Sequence, residues 1–209
     1  MIKIILSDID GTFLTTDKKT PALHEKAIKA VVAKGLKFVF VSARMPEAIY
    51  PITDALGMAH TPVISYGGGF VLTEDEEVLF DKKISADDAK NILAEMKRGW
   101  QDITINYYTG RRWFVEKIDK RVQFEMDITG ATAEVKKFDE VLHENILPNK
   151  IMIICEPPTC REMEIELGKM FPALNVVRSA PHLLEIMDKS VSKATGIEVL
   201  LKHYGFTVD

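Results

Sequence analysis

Two carboxylates, Asp8 and Asp10, stand one residue apart at the end of a mostly apolar run over residues 2–6, and Gly11 and Thr12 follow at once. Carboxylates at this spacing can divide two jobs. One can attack a phosphorus atom as a nucleophile, and the other can carry a proton. Two like charges held close together are costly unless a cation joins them. An all-oxygen ligand set suits Mg²⁺. Gly11 permits a sharp backbone path, and the Thr12 hydroxyl can hydrogen-bond a carboxylate and hold it. Asp10-Gly11 is also an ordinary turn pair. Its place decides between the readings, because ligands of open α/β sheets bind beyond the carboxyl ends of the strands.

Two later positions fit the same chemistry. Residues 36–41 form a second apolar run that ends in Ser42-Ala43-Arg44. The Ser42 hydroxyl and the backbone N–H groups after it, beginning with Ala43, can hold a phosphate oxygen. Lys193 falls in the first turn of a helix that Ser192 caps. A cation there opposes the helix dipole, and an anion bound between lysine and helix end reverses the penalty.

The elements that would position these residues read as follows. Residues 2–6 make a strand. Thr20 and Pro21 open a helix, as N-cap and first helical residue, that Gly35 closes. Residues 36–41 make a second strand, Pro46 opens a helix that Gly57 closes, and 61–65 make a third strand before Tyr66-Gly67-Gly68-Gly69. Strand and helix in alternation predict a parallel sheet with right-handed crossovers, all three loops gathering at one edge. Near residue 80 the pattern changes. A helix over 85–98, a hairpin over 103–117, helical stretches at 119–128 and 134–146, a strand at 150–155, a helix at 161–170 and strands at 176–179 and 183–187 predict an inserted α+β module. The expected division is a Rossmann-like core over 1–81 and 188–209 and a cap over 82–187, with a final helix over 193–204 stopped by Gly205.

Composition narrows the classes. Hydrophobic residues make up 46% and charged residues 28% of 209, which predicts a packed core rather than disorder. A net charge of −4 gives no general attraction to nucleic acid or anionic membrane. There is no transmembrane-length apolar run and no signal-peptide pattern, so a cytoplasmic protein is expected. Cys155 and Cys160 have neither zinc nor redox spacing and are expected to be reduced thiols.

In this order, the three pieces resemble the haloacid dehalogenase superfamily, in particular its Cof-type branch of capped sugar-phosphate phosphatases. Asp8-Ile9-Asp10-Gly11-Thr12 is similar to the first motif of that family, Ser42 to the second and Lys193 to the third. The stretch Leu184-Glu185-Ile186, followed by Val191-Ser192-Lys193, is similar to the way the branch re-enters its core. The resemblance implies an aspartyl-phosphate on Asp8, proton transfer by Asp10, and Mg²⁺ bound by an Asp8 carboxylate oxygen and the Asp10 main-chain carbonyl. It further implies phosphate binding by Ser42, Ala43 and Lys193, with Gly11, Thr12 and Arg44 in support and a small phosphorylated metabolite as substrate. A phosphomutase or phosphotransferase of the same fold, and a non-catalytic phosphate-binding relic, remain open beside it.

This sequence departs from the family pattern in three places. Ser42-Ala43-Arg44 stands where Thr-Gly-Arg is more usual, and Tyr66-Gly67 where Asn-Gly is usual. The acidic fourth motif has no counterpart, since no Gly-Asp dipeptide occurs. The expectation is therefore a C-terminally incomplete core with weakened Mg²⁺ affinity and low turnover. Its first strand would lie at an uncovered sheet edge open to self-association. The substrate-side candidates are Tyr107, Tyr108, Arg111, Arg112 and Trp113, although a plain hairpin with aromatic cross-strand pairs is favoured there.

Overall fold

The N-terminal apolar run extends as β1 (Ile4–Ser7), paired in parallel with β2 (Lys37–Val41), which pairs in parallel with β3 (Val63–Ser65). This is a computed structural model that describes residues 2–15, 17 and 19–207. Helix α1 (Ala22–Ala33) makes the first crossover, and a 3₁₀ turn (Pro46–Ala48) with α2 (Tyr50–Ala55) makes the second. Two further strands, β4 (Phe70–Leu72) and β5 (Val78–Asp81), continue the sheet antiparallel, giving the order β1-β2-β3-β4-β5. The sheet buries both faces, so its strands alternate between two apolar layers. Val39, Val41, Ile64 and Val71 pack with Ile197 and Leu200 of the last helix, α7 (Lys193–Tyr204). From the opposite face of β2, Phe38 and Phe40 meet edge to face at 5.2 Å, and Phe13 joins Phe40 at 4.9 Å.

The chain divides into two units, Met1–Asp81 with Val191–Asp209, and Lys82–Ser190. The second unit carries its own sheet, in the order β10-β11-β9-β6-β7-β8. Its elements in chain order are α3 (Ala86–Gly99), β6 (Thr104–Thr109), β7 (Arg112–Val115), α4 (Lys120–Thr129), β8 (Glu134–Val135), α5 (Phe138–His143), β9 (Lys150–Ile154), α6 (Pro157–Met170), β10 (Leu174–Ala180) and β11 (Leu183–Asp188). All its pairings are antiparallel except β7 with β8. The strand residues Tyr107, Ile151, Ile153, Leu184 and Ile186 share a core with Ile92 and Met96 of α3 and Met163 and Leu167 of α6. The alternate positions carry polar groups that are buried and paired. Lys150 meets Glu185 at 3.3 Å, and the Trp113 indole N–H donates to Asn106 Oδ1 at 3.1 Å. The architecture is thus α/β, a Rossmann-like core with an inserted α+β module.

Several local expectations need correction. Helix α1 begins one residue later than expected, with extended Pro21 at the N-cap and no side-chain cap, so Thr20 does not cap it. The helix expected from Pro46 is broken into a 3₁₀ turn and a short α-helix, because Pro51 has no N–H to continue the ladder. Helix α6 starts at Pro157 rather than 161, since proline is well placed in a first turn. The stretch 134–146 is helical only over Phe138–His143 and begins with the two-residue strand β8. Strands β4 and β5 were not expected, being three and four residues long and lying beside a glycine run that reads as loop. Among the described residues β1 stands at one end of the sheet order, with all four of its residues half-buried.

Candidate active site

The carboxyl ends of β1 and β2 and the first turn of α7 bring the acidic and basic candidates together. After β1 the chain turns tightly, and Ile9 O accepts the backbone N–H of Phe13 at 3.0 Å and of Leu14 at 2.8 Å. Gly11 adopts φ +74°, a conformation that disfavours a side chain, so the sharp path expected of it is what it provides. Ile9 is fully buried beneath this turn, while Asp8 is half-buried and Asp10 exposed.

Each aspartate faces a cation. Asp8 Oδ2 lies 2.6 Å from Lys193 Nζ, and Asp8 Oδ1 accepts the Ile9 N–H at 2.8 Å. Asp10 is gripped by both arms of Arg44: Nε donates to Oδ2 at 2.9 Å and Nη2 to Oδ1 at 2.8 Å. Such forked guanidinium–carboxylate pairs are among the stronger and more directional charge-assisted contacts. Thr12 is exposed and, among the described residues, donates to neither carboxylate; the holding role expected of it is taken by Lys193 and Arg44.

Ser42 is buried just beyond β2. Its N–H donates to Ile64 O at 2.9 Å, its carbonyl accepts the Gly67 N–H at 2.9 Å, and its hydroxyl accepts the Arg44 N–H at 3.2 Å. Ala43 sits between, half-buried. The loop after β2 is therefore laced to the loop after β3, where Tyr66 N–H donates to Arg44 O at 3.2 Å.

The glycine run 67–69 has a role that the sequence did not reveal. A Cβ on Gly68 would fall 1.9 Å from Ser192 O, and a Cβ on Gly196 would fall 2.8 Å from Gly68 Cα. Only bare backbone lets the N-terminus of α7 come this close to the loop after β3, and that approach sets Lys193 against Asp8. Ser192 caps the helix by accepting the Thr195 N–H at 3.1 Å. Gly68 and Gly196 are thus supporting residues that sequence reasoning missed. The only signal available was an unexplained cluster of three glycines.

The hairpin candidates of the second unit do not form an open cluster. Tyr107 lies in the core and its hydroxyl donates to Ile146 O at 2.6 Å. Tyr108 stacks on Trp113 at 5.4 Å, both rings buried. Arg112 forks onto Glu134 and lies over the Phe114 ring.

The donor set around Asp8 and Asp10 is oxygen throughout, which fits a hard divalent cation such as Mg²⁺. Among the described residues, no three His, Cys, Asp or Glu side chains converge as a ready-made metal cage. No helix is long and apolar enough to cross a membrane.

A family model for haloacid dehalogenase-like hydrolases matches residues 5–209. A Haemophilus influenzae protein provisionally named a phosphatase is 30% identical over 209 residues, spanning 98% of this chain and 76% of its own length. TM0651 from Thermotoga maritima has the same fold, with a TM-score of 0.83 at 22% identity over 98% of this chain and 76% of that one. The subclass IIB sugar phosphatase BT4131 superposes with a TM-score of 0.80 at 21% identity over 99% and 77% of the two chains.

Proposed function

The chain belongs to the haloacid dehalogenase-like hydrolases, and on that premise we propose that it is a Mg²⁺-dependent phosphohydrolase of small, sugar-phosphate-like monoesters working through an aspartyl-phosphate. The observation that carries this reading is the Asp8–Lys193 contact at 2.6 Å, a nucleophile beside the cation that would receive the phosphate.

In the first step an Asp8 oxygen attacks phosphorus and the ester bond to the alcohol breaks. Asp10 gives the leaving oxygen its proton. In the second step water attacks the phosphoryl group, Asp10 takes the water proton, and phosphate leaves with Asp8 regenerated. Lys193, free to turn from Asp8 to the incoming phosphate, neutralises a non-bridging oxygen, as do the Ser42 hydroxyl and the Ala43 N–H. Electrostatic stabilisation of this kind is most of what such transfers need. The Asp8 carboxylate and the Asp10 main-chain carbonyl would hold Mg²⁺, which when bound offsets the repulsion between carboxylate and phosphate. The inserted unit is assigned the choice of substrate.

The test is phosphate release from p-nitrophenyl phosphate and from a panel of sugar phosphates, with and without Mg²⁺. The reading expects release that requires Mg²⁺ and is abolished in Asp8→Asn. Release that survives Asp8→Asn, or none at any Mg²⁺ concentration, refutes it. Transfer of the phosphoryl group to a sugar in place of water would make the protein a phosphotransferase of the same fold.

A further inference from the structure

We infer that Ser65 is a positioning residue for Ser42: through one bridging water, its hydroxyl aims the Ser42 O–H at the phosphate. This rests on the proposed role of Ser42 as a phosphate ligand, and it brings in a residue outside the three motifs.

The two serines are partners across adjacent strands. In the parallel pairing of β2 with β3, Phe40 stands opposite Val63 and Val41 opposite Ile64. The Ser42 N–H donates to Ile64 O at 2.9 Å, which carries the register one step further and sets Ser42 opposite Ser65. Side chains alternate along a strand. Val39, Val41 and Ile64 face α7, so Ser42 and Ser65 both emerge on the other face of the sheet, that of Phe40 and Val63. Both residues are buried, with exposures of 1% and 0%.

Their hydrogen bonding is unequal. The Ser42 backbone is fixed by its N–H to Ile64 and by its carbonyl, which accepts the Gly67 N–H at 2.9 Å. Its Oγ accepts the Arg44 N–H at 3.2 Å, which places the oxygen but does not set the direction of the hydroxyl proton. Ser65 Oγ, by contrast, has no hydrogen-bond partner, the only buried hydroxyl of which this is true among the described residues. Such an atom costs stability, and in a native protein it marks a bound water, an ion or a catalytic role.

Spacing and chemistry agree on the water. Adjacent strands lie about 4.8 Å apart, and no direct bond joins the two hydroxyls. A gap of that size suits a single water between them. The water accepts the Ser65 O–H and donates to Ser42 Oγ. A hydroxyl has two acceptor sites and one donor. With the Arg44 N–H on one acceptor site and the water on the other, Ser42 has only its proton left to give. A non-bridging phosphate oxygen then receives it, and the donor is oriented before substrate arrives, which is what makes such a donor effective.

Two other roles predict different results. A serine that touched the phosphate itself would weaken binding when lost, whether or not the Ser42 hydroxyl were present. A serine kept only for packing would lose stability and leave phosphate binding unchanged.

The experiment compares the full chain with Ser65→Ala, Ser42→Ala and the double variant. It measures calorimetric titration with inorganic phosphate in Mg²⁺, kcat on p-nitrophenyl phosphate, and urea unfolding, beside a crystal structure of the parent. Ser65→Ala is expected to weaken phosphate binding and to lower kcat about 3- to 10-fold each, the worth of one net hydrogen bond, with little change in the urea midpoint. In the Ser42→Ala background, Ser65→Ala should add no further loss, because the group that it orients is gone. The crystal structure should show one water within hydrogen-bond distance of both Oγ atoms. Unchanged phosphate binding in Ser65→Ala, an equal loss with and without the Ser42 hydroxyl, or no water between the two serines would overturn the inference. Should the parent neither bind phosphate nor release it, the phosphohydrolase reading fails by itself, and the crystal structure alone decides whether Ser65 is joined to Ser42.

Discussion

Gly196, in the first turn of α7, lies directly against Gly68: a Cβ on Gly196 would stand 2.8 Å from Gly68 Cα and 2.6 Å from Ile64 Cγ2. The two residues are 128 apart in sequence, and their contact joins the C-terminal helix to the loop after β3. It is this approach, rather than any property of Lys193 alone, that puts the lysine beside Asp8.

Substituting either glycine should therefore harm both fold and function. Gly68→Ala is the more severe change. Its Cβ meets the Ser192 carbonyl at 1.9 Å, and its φ of +105° is one that side chains rarely adopt. Overpacking and backbone strain together predict a loss of about 2–4 kcal/mol. Gly196→Ala should cost less, because the Ile64 methyl can shift. Urea unfolding of the two variants checks the order, and parent-like stability in Gly68→Ala would contradict it.

Lys193→Met should behave in the opposite way. The Lys193–Asp8 pair is 45% and 35% exposed, so its contribution to folding is small. Stability is expected to change by no more than about 0.5 kcal/mol. Phosphate release should fall on the order of 100-fold, the usual cost of removing one charge-stabilising donor. A variant that loses stability and keeps its rate would place the lysine in the scaffold instead.

How far these relationships could be read in the sequence depended on their range. The α7 boundaries follow from Ser192 and Gly205, which act within one turn, and the β1 turn follows from Asp10-Gly11. The Arg44–Asp10 fork spans 34 positions and exists only because β1 and β2 pair in register, Ser7 opposite Phe40. No local pattern announces it. Thr12, adjacent to Asp10, was the natural choice as its partner, yet the turn leaves Thr12 in solvent. Gly67 to Gly69 read only as a glycine-rich loop because the helix that needs their bareness lies far away in the chain. In β4 and β5, three or four residues are too few for a period to declare itself.

A pH effect should arise away from the site. Glu74 accepts hydrogen bonds from the Tyr204 hydroxyl near the end of α7 and from Lys37 Nζ at 3.0 Å. Burial works to raise its pKa, but the Tyr204 bond, the Glu74 backbone N–H and Lys37 together outweigh it and bring the value from 4.5 to about 2. A carboxyl with a depressed folded-state pKa stabilises the fold above its unfolded value, and that stability is lost as pH falls toward the folded value. Glu74→Gln should thus lower Tm at pH 7, and its gap to the parent should close between about pH 4.5 and pH 2. A gap that is constant across that window would rule the mechanism out.

The two cysteines should be inert in the folded protein. Burial, and then the neighbouring Cys160, push the Cys155 thiol up to about 12, and burial raises Cys160 as well. Since the thiolate is the reactive form, iodoacetamide at pH 8 should label neither cysteine in the native chain and both in urea. Rapid native labelling would show that the strand end and α6 open more readily than their packing implies.

The most direct test of the central claim is chemical trapping at Asp8. The full chain is incubated with Mg²⁺ and p-nitrophenyl phosphate, quenched in acid and reduced with borohydride, which converts an aspartyl-phosphate to homoserine. Peptide mass mapping should find homoserine at position 8 and nowhere else, and none in Asp8→Asn. Phosphate release without homoserine at position 8, or homoserine at position 10 instead, would contradict the assignment of Asp8 as nucleophile.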